Sequence, residues 1–428
     1  MTDHDPFLHA IVSQPDADAP RLIYADWLEE QGHAERAEFI RVQCELAAMK
    51  ASDVATWDLI RLQELEEREE ELLELPAALG ENPIREVARH CRYQRGFIEE
   101  ATFSQGMFLF QAERALRWVP LRRLTLTHLE EPHLPILAKT PALARLQGLT
   151  LRHEANEQQV LDLQELMASP HLGALESLTL AHVLSRMFGQ QQTYPVGPAL
   201  QELRLMSPAL QPWDLETLLK STLCYKLHRL HLRADFFGMG FMNTLVLLLE
   251  NLGLESLSLN NGYAITLGDV DKFLTSPALN HLRALHLAGN LMDEAAIQHL
   301  TWTDQLRGLT RLSLRSHDVN DYSLRALMRS ERLPQLRYLD LRGNRLEIVA
   351  IRALAGGPLL KQLKLLSLDG HHLHRQALET LLHSRYWSGQ TGLYLNQSSL
   401  TGQKMRDLRK KYHKTLPYCR VVQEMNDE

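Results

Sequence analysis

The sequence predicts an α/β solenoid, in which short parallel strands line the inside of an arc and helices lie on its outside. The pattern L-x-x-L-x-L recurs ten times along the chain. Between the copies, apolar residues recur with the spacing of a helix. A chain of 428 residues also exceeds one ordinary globular core, so two domains or a repeat array are expected.

The strand of each repeat is predicted by its leucines. The middle leucine of the pattern recurs every 25 to 29 residues. An L-x-L alternation has the period of a strand, so both leucines point to one face. A weaker eleventh copy is centred on Leu393. The ten middle leucines are Leu124, Leu149, Leu178, Leu203, Leu230, Leu257, Leu285, Leu312, Leu339 and Leu366.

The helix of each repeat is predicted by the segments between the strands. Leu215, Leu218 and Leu219 show the helical spacing, and neither a strand nor a helix of this length can bury its apolar face alone. A unit of about 27 residues is similar to the ribonuclease-inhibitor class of leucine-rich repeat, which forms a horseshoe. That class commonly has Asn or Cys three residues after the last leucine. Asn290 and Asn344 occupy this position here, and most other copies depart from it.

Several positions fix where the units begin and end. A proline stops the preceding helix eight residues before five of the middle leucines. Residues 183–199 show no apolar helical face, so we expect a loop there. A non-standard first strand is expected over 96–103, a polar last helix over 401–412 and a closing strand over 418–422. The prolines are Pro141, Pro170, Pro195, Pro277 and Pro358.

We predict three regions: a helical domain over 1–50, an acidic helical connector over 51–95 and the repeat domain over 96–428. The first region reads as three short helices, the second of which ends before Gly32. The connector has a predicted helix over 53–75, with seven glutamates between positions 64 and 74. We interpret these glutamates as a solvated face, with dimerisation as the alternative.

The first region resembles a known family. Residues 7–46 read FLHAIVSQPDADAPRLIYADWLEEQGHAERAEFIRVQCEL, and the RLIYADWLEE and RAEFIR segments are specific. This segment resembles the repeat-companion domain, which precedes repeat arrays in bacterial families, mainly of planctomycetes and myxobacteria. The RGF tripeptide at 95–97 also resembles the junction before such repeats. The resemblance implies a bacterial leucine-rich-repeat protein and implies no particular activity.

Composition points to a soluble, cytoplasmic protein that we expect to be a monomer. Hydrophobic residues make up 45% and charged residues 23% of the chain. No run of 18 apolar residues and no signal peptide is present, so no membrane association is expected. The four cysteines form no CxxC pair, which argues against a zinc site. The net charge of −7 combines −11 over residues 1–95 with +4 over the remainder.

No motif for catalysis is found, so we expect no enzyme activity, no metal and no cofactor. No Lys follows a Gly, which excludes a P-loop, and HExxH, GxSxG and the nucleotide-binding glycine pattern are absent. The histidine cluster at 371–374 is interpreted as a strand-to-helix loop rather than a metal site. Asp26 and the neighbouring Glu29 and Glu30 are interpreted as surface and capping residues rather than a catalytic acid pair.

The residues that flank the strand leucines are predicted to line the concave face. Ten copies give 30 such positions, which hold eight arginines, two histidines, three acids and no lysine. This excess of positive charge predicts an acidic protein partner, because arginine binds carboxylates in a bidentate manner. The residues expected to bind are Arg204, Arg229, His231, Arg233, His286, Arg311, Arg315, Tyr338, Asp340 and Arg342.

Other interpretations of this face remain open. Exposed strand positions tolerate arginine, so the excess need not indicate binding. The same face could bind nucleic acid, although the chain is acidic overall and has no nucleic-acid motif. The acidic N-terminal part could also fold over the basic face and mask it. A loop at 236–242 is an alternative contact surface.

Overall fold

The computed structural model describes residues 4–422, in two compact units. Unit 1 comprises residues 1–53, 64–207 and 217–226, and unit 2 comprises residues 54–63, 208–216 and 227–428. The described range has gaps at 54–55, 81, 117–118, 154–158, 186–197, 220–221, 238–239, 261–266, 290–293, 317–318, 345, 370–374, 397–410, 413–415 and 417.

Unit 1 begins with three helices and continues into strands. The helices of this unit are α1 (Asp5–Ser13), α2 (Ala19–Glu30), α3 (Ala34–Ala51), α4 (Leu59–Leu73, whose first five residues belong to unit 2), α5 (Pro76–Leu79), α6 (Ile84–Val87), α7 (Gln105–Leu116), α8 (Leu134–Ala138) and α9 (Gln164–Met167). Its strands are β1 (His90–Gln94), β2 (Phe97–Ser104), β3 (Arg123–Thr127), β4 (Gly148–Arg152), β5 (Gln159–Leu161), β6 (Ser177–Ala181), β7 (Val183–Ser185) and β8 (Glu202–Leu210, whose last three residues belong to unit 2). β2, β3, β4, β6 and β8 pair in parallel, β1 pairs antiparallel with β2, and β5 pairs with β7.

Unit 2 repeats the strand-helix alternation. Its strands are β9 (Arg229–Phe237), β10 (Ser256–Asn260), β11 (Ala284–Ala288), β12 (Arg311–Arg315), β13 (Tyr338–Asp340), β14 (Leu365–Asp369), β15 (Gly392–Asn396) and β16 (Cys419–Val422), all paired in parallel with their chain neighbours. The helices are α10 (Pro212–Leu219, which ends in unit 1), α11 (Phe241–Leu249), α12 (Leu267–Thr275), α13 (Glu294–Leu300), α14 (Asp321–Met328), α15 (Ile348–Ala355) and α16 (Arg375–Leu382). The chain is therefore an α/β repeat protein with long parallel pairing, as predicted.

The predicted strand leucines form the core of both units. All eleven middle leucines lie in strands and are at most 1% exposed. In unit 2, Leu230, Leu257 and Leu285 are partners in register, and the register continues to Leu393. Because side chains alternate along a strand, the residues between these leucines lie on the opposite side of the sheet. We call that side the open face.

The three predicted N-terminal helices are present, and they share their core with the first parallel strand. Ile11 of α1, Leu28 of α2 and Ile40 of α3 pack in one cluster with Phe97 of β2. Gly32 has a φ of +84°, a conformation that favours glycine, and it ends α2 where the sequence predicts.

A buried ion pair explains the RGF tripeptide beside this core. Arg21 donates to Glu99 at 2.6 Å, and the two side chains are 0% and 3% exposed. Arg95 binds the same carboxylate at 2.9 Å. Gly96 has a φ of +82°, and a Cβ there would lie 2.8 Å from the Cα of Ile40. Only a residue without a side chain lets β2 approach α3 this closely.

Polar side chains fasten successive repeats at the helix ends and the strand ends. The hydroxyls of Thr303 and Ser330 donate to carbonyls of the preceding repeat at 2.7 and 2.8 Å. Asn344 is 1% exposed, donates to the carbonyl of Leu314 at 2.7 Å and accepts from the Val319 N–H at 3.0 Å. Its buried amide thus bonds backbone groups near the end of β12 and before α14.

Some boundaries differ from the prediction. Helix α4 begins at Leu59 rather than at 53, because Asp58 caps it by accepting from the N–H groups of Ile60 and Arg61. Part of the predicted loop over 183–199 is strand β7, whose backbone gains parallel pairing to β5. Strands β2 and β16 match the predicted first and closing strands. Asn290, the histidine cluster at 371–374 and residues 186–197 and 401–410 lie outside the described residues.

Candidate functional site

The open face of unit 2 arranges the predicted binding residues in rows. Parallel pairing aligns equivalent positions of neighbouring strands, so Arg229 of β9 and Arg311 of β12 belong to one outer row. Arg233 and Arg315 belong to the other outer row. His231 and the residues in register with it form the central row. Residues up to 86 positions apart in sequence thus share a single surface.

Four arginines mark the corners of this surface, namely Arg229 and Arg233 on β9 and Arg311 and Arg315 on β12. We call them the arginine frame. Three strand spacings of about 4.8 Å set the frame's width, so its corners are about 14 Å apart across the strands. Four residues at about 3.3 Å set its length at about 13 Å along each strand. These dimensions match roughly two turns of a helix or four residues of extended chain.

Small side chains form most of the floor inside the frame. The hydroxyl of Ser258 donates a hydrogen bond to Asn260 Oδ1 at 3.3 Å, and both residues belong to the floor. None of the twelve aligned positions on β9 to β12 holds an acid, although Asp235 follows Arg233 on the same face of β9. The floor positions on β10 and β11 are Ser256, Ser258, Asn260, Ala284, His286 and Ala288.

The four arginines of the frame differ in exposure. Arg229 and Arg233 are exposed, and Arg311 and Arg315 are half-buried. Within the described part of the chain, Arg233 and Arg311 form no ion pair. A half-buried arginine can pack its aliphatic stem on a sheet while its guanidinium donors stay accessible. The surface is therefore suited to contact with an anionic group.

Arg342 and Asp340 form a closed pair beside the frame. Arg342 donates to both carboxylate oxygens of Asp340, at 3.0 and 2.8 Å, and lies 5.9 Å from the ring centre of Tyr394. Burial lowers the pKa of Arg342, but the hydrogen bonds and charge of Asp340 outweigh it and the net shift is upward. Burial, together with the Asp340 charge, raises the pKa of Tyr338 to about 12. Arg342 therefore carries little unbalanced charge.

Arg204, the remaining predicted site residue, lies on β8 in unit 1. Its Nε donates to Glu202 at 2.6 Å, two residues earlier on the same face. Arg204 and Arg342 thus share one feature that the sequence already contains, an acid two positions before the arginine. Because residues at i and i+2 of a strand lie on the same face, this spacing predicts that the acid and the arginine pair within that face.

The open face of unit 1 carries a threonine row instead, which the sequence analysis missed. Thr102, Thr125, Thr150 and Thr179 are in register on β2, β3, β4 and β6. All four are half-buried. The signal was available, because the last three occupy the same position in three successive copies of the pattern. The central row of the open face is thus neutral and polar from β2 to β6.

The described residues include no cluster that could hold a metal ion. No three His, Cys, Asp or Glu side chains within that part of the chain lie close enough together to hold a metal. Burial raises the pKa of the Cys44 thiol to about 12 and raises that of Cys91, which disfavours the reactive thiolate. Phe237 and Phe241, at the alternative loop site, are buried and stacked at 4.4 Å.

No described helix combines the length and apolar character needed to cross a bilayer. Comparison of the sequence with protein-family models and with curated proteins finds no match. Among solved structures, a structural-genomics protein from Bacteroides fragilis is 14% identical, with a TM-score of 0.34 over 72% of this chain and 76% of that chain. The yeast Rad7 and Elc1 complex includes a chain that is 15% identical, with a TM-score of 0.41 over 95% of this chain and 92% of that chain. Scores at this level do not establish a shared fold.

Proposed function

We propose that this chain is a non-catalytic interaction protein that binds an acidic protein partner through the arginine frame. The observation that carries the proposal is the register: four arginines at matched positions surround a floor of mostly small residues, and no acid occupies the twelve aligned positions. Arginine presents a planar fork of donors that fits carboxylates in a bidentate manner.

The partner's chemistry follows from the frame's dimensions. Carboxylates about 13–14 Å apart would each meet one corner, a spacing that roughly two turns of an acidic helix provide. The small floor leaves room for the partner's backbone to approach the sheet. Tyr338, next to Arg311 in the outer row, supplies an aromatic contact at the edge of the frame. The Asp340–Arg342 pair is neutralised, so it contributes shape at that edge and attracts no charged group.

The test compares two double variants with the same charge change. Arg233→Glu with Arg311→Glu reverses two corners of the frame. Arg329→Glu with Arg352→Glu reverses two exposed arginines at the end of α14 and on α15. In affinity purification from the native cell, the frame variant should lose partner at least about tenfold and the control should not. An unchanged partner list with the frame variant would contradict the proposal.

Nucleic acid is the second candidate, because arginine also binds phosphate through the same donors. A gel shift with DNA and RNA at low ionic strength separates the two candidates. A shift that the frame variant abolishes and the control variant retains would assign the frame to nucleic acid. Its absence, with retained protein capture, supports the protein partner.

The proposal also includes a finer architecture. We propose a monomeric, cytoplasmic bacterial protein, with repeats of the ribonuclease-inhibitor class that form a horseshoe with the helices outside. In this view residues 1–50 are a repeat-companion domain, residues 51–95 a connector and residues 96–428 the repeats. The unbroken leucine register within each unit supports the stacking. Small-angle scattering would distinguish a curved particle from a compact one, and light scattering would report the mass.

A further inference from the structure

A notch interrupts one outer row of the open face near the end of unit 2. The row continues from Arg311 through Tyr338 and Leu365 to Gly392 on β15. Gly392 has no side chain, so it leaves a gap between Leu365 and Tyr418, its neighbours in the row. A Cβ at position 392 would lie 3.1 Å from Leu365 Cδ1 and 3.0 Å from Tyr418 Cδ1. The notch is therefore lined by apolar side-chain atoms.

The first turn of α4 fills this notch. The Cδ1 of Leu59 lies 3.0 Å from the position that a Cβ at Gly392 would occupy. Leu59 is 3% exposed and Leu62, one turn later, is 2% exposed. Leu365 is a large apolar residue on the open face, and it is only 8% exposed. Leu59 thus meets an apolar patch of the sheet. Leu62, three positions later on the same side of the helix, is buried as well.

The same helix turn also caps the outer edge of β16. The carbonyl of Tyr418 accepts from Leu393 on β15, so the next N–H, that of Cys419, points away from β15. Gln63 Oε1 accepts from this N–H at 3.1 Å. An exposed strand edge is a template for further pairing, and here a side chain of α4 occupies one of its donors.

We propose that the notch is a binding site for an amphipathic helix with leucines at i and i+3, and that α4 occupies it in this chain as an internal ligand. The inference rests on the proposed function, since it assigns the kind of protein segment that the open face accepts. A partner helix would displace residues 57–63 and reproduce their contacts. Leu59, Leu62 and Gln63 define what that partner presents: two leucines and one amide or carboxylate oxygen.

The notch is continuous with the arginine frame, which sets a second requirement on the partner. Three strand spacings separate Gly392 from Arg311, a distance of about 14 Å. A helix rises about 1.5 Å per residue, so a helix lying along the row would carry its acidic residues about ten positions from its leucines. The partner class is thus an acidic amphipathic helix. Salt should weaken the contacts between the partner's acidic residues and the arginine frame, and it should leave the leucine contact in the notch unchanged.

The experiment uses a fluorescent peptide of residues 56–73 as the probe and the full chain as the receptor. Leu59→Asp in the chain empties the notch, because a carboxylate is disfavoured among apolar side chains. Ile60→Asp is the matched control, since Ile60 lies on the same turn but is 57% exposed. The peptide should bind the Leu59→Asp chain at least about tenfold more tightly than the unchanged or the control chain.

Two further measurements keep the test decisive. Adding Gly392→Leu to the Leu59→Asp chain should abolish peptide binding, because the new side chain fills the notch. Hydrogen exchange at the Cys419 amide should accelerate about tenfold or more in the Leu59→Asp chain, while the Leu366 amide keeps its protection and reports an intact sheet. Equal peptide binding to the Leu59→Asp and Ile60→Asp chains, or binding that survives Gly392→Leu, would overturn the inference.

These measurements need no native partner, so they separate the inference from the proposed function. Peptide binding at the notch with no effect of the Arg233→Glu, Arg311→Glu pair on partner capture would reject the frame and retain the notch. Loss of capture in the frame variant, with no peptide binding to the Leu59→Asp chain, would reject the notch and retain the frame.

Discussion

Replacing Gly96 by alanine tests the close approach of β2 to α3, and Gly32→Ala provides a matched control. Both glycines have positive φ, +82° and +84°. A Cβ at Gly32 would meet nothing within 4 Å, whereas a Cβ at Gly96 would lie 2.8 and 2.9 Å from Cα and Cβ of Ile40. The two variants therefore share the conformational penalty and differ in steric overlap.

The expected losses of stability follow from these two contributions. A side chain in the left-handed region costs roughly 1–2 kcal/mol, and the smaller entropy of the unfolded alanine chain offsets about 0.5 kcal/mol of this. Gly32→Ala should thus cost about 1 kcal/mol. Overpacking against Ile40 adds about 1–3 kcal/mol, because α3 must shift, so Gly96→Ala should cost about 2–4 kcal/mol.

Native-state hydrogen exchange of the α3 amides measures the local opening free energy without assuming two-state unfolding of the whole chain. Gly96→Ala should accelerate exchange in α3 by roughly five- to 150-fold relative to Gly32→Ala, since 1.4 kcal/mol corresponds to a factor of ten. Equal exchange in the two variants would show that the contact with Ile40 does not hold α3 to the strand.

Three other predictions concern buried groups. Glu99→Leu leaves Arg21 without its carboxylate and should cost about 3–5 kcal/mol in urea unfolding, with partial recovery when Arg21→Leu is added; a loss below about 1 kcal/mol would contradict the buried pair. Asn344→Ala should cost about 2 kcal/mol and speed exchange of the Val319 amide, and unchanged exchange there would refute the bridging role. Since burial raises the pKa of Cys44 to about 12, its thiolate should be scarce up to pH 9 and appear only as the pH approaches 12. Alkylation at pH 8.5, followed by mass spectrometry, should be slower by about a thousandfold than in the unfolded chain, and similar rates would contradict it.

The repeat architecture could be predicted from the sequence because the leucine pattern that indicates it is periodic and local. Each middle leucine repeats the same physical demand, a strand residue that must be buried, so copies support one another. The position of Asn344 could be predicted for the same reason, because it lies at a fixed number of residues from the strand leucines. The start of α4 could not be predicted, because the spacing of apolar residues does not show that Asp58, rather than a residue before it, caps the helix.

The arginine positions were predictable, and their individual states were not. Register follows from alternation and parallel pairing, so Arg229 and Arg311 could be placed on one face. Whether an arginine is neutralised depends on nearby acids, as at Arg342, and only the local i, i+2 spacing revealed that. The contact of Leu59 with Gly392 joins residues 333 positions apart and has no repeated pattern, so no sequence signal marks it.

The hydrogen bond from Cys419 to Gln63 spans 356 residues, nearly the whole chain. During translation at about 5–20 residues per second, the two leucines beside Gln63 emerge from the ribosome roughly 20 to 70 seconds before strand β16 exists. For that interval the notch that Leu59 fills is incomplete, and chaperones that recognise exposed leucines would bind there. A truncation before residue 392 would make this nascent state permanent, so shortened chains should aggregate or be degraded through the segment that the 428-residue chain keeps covered.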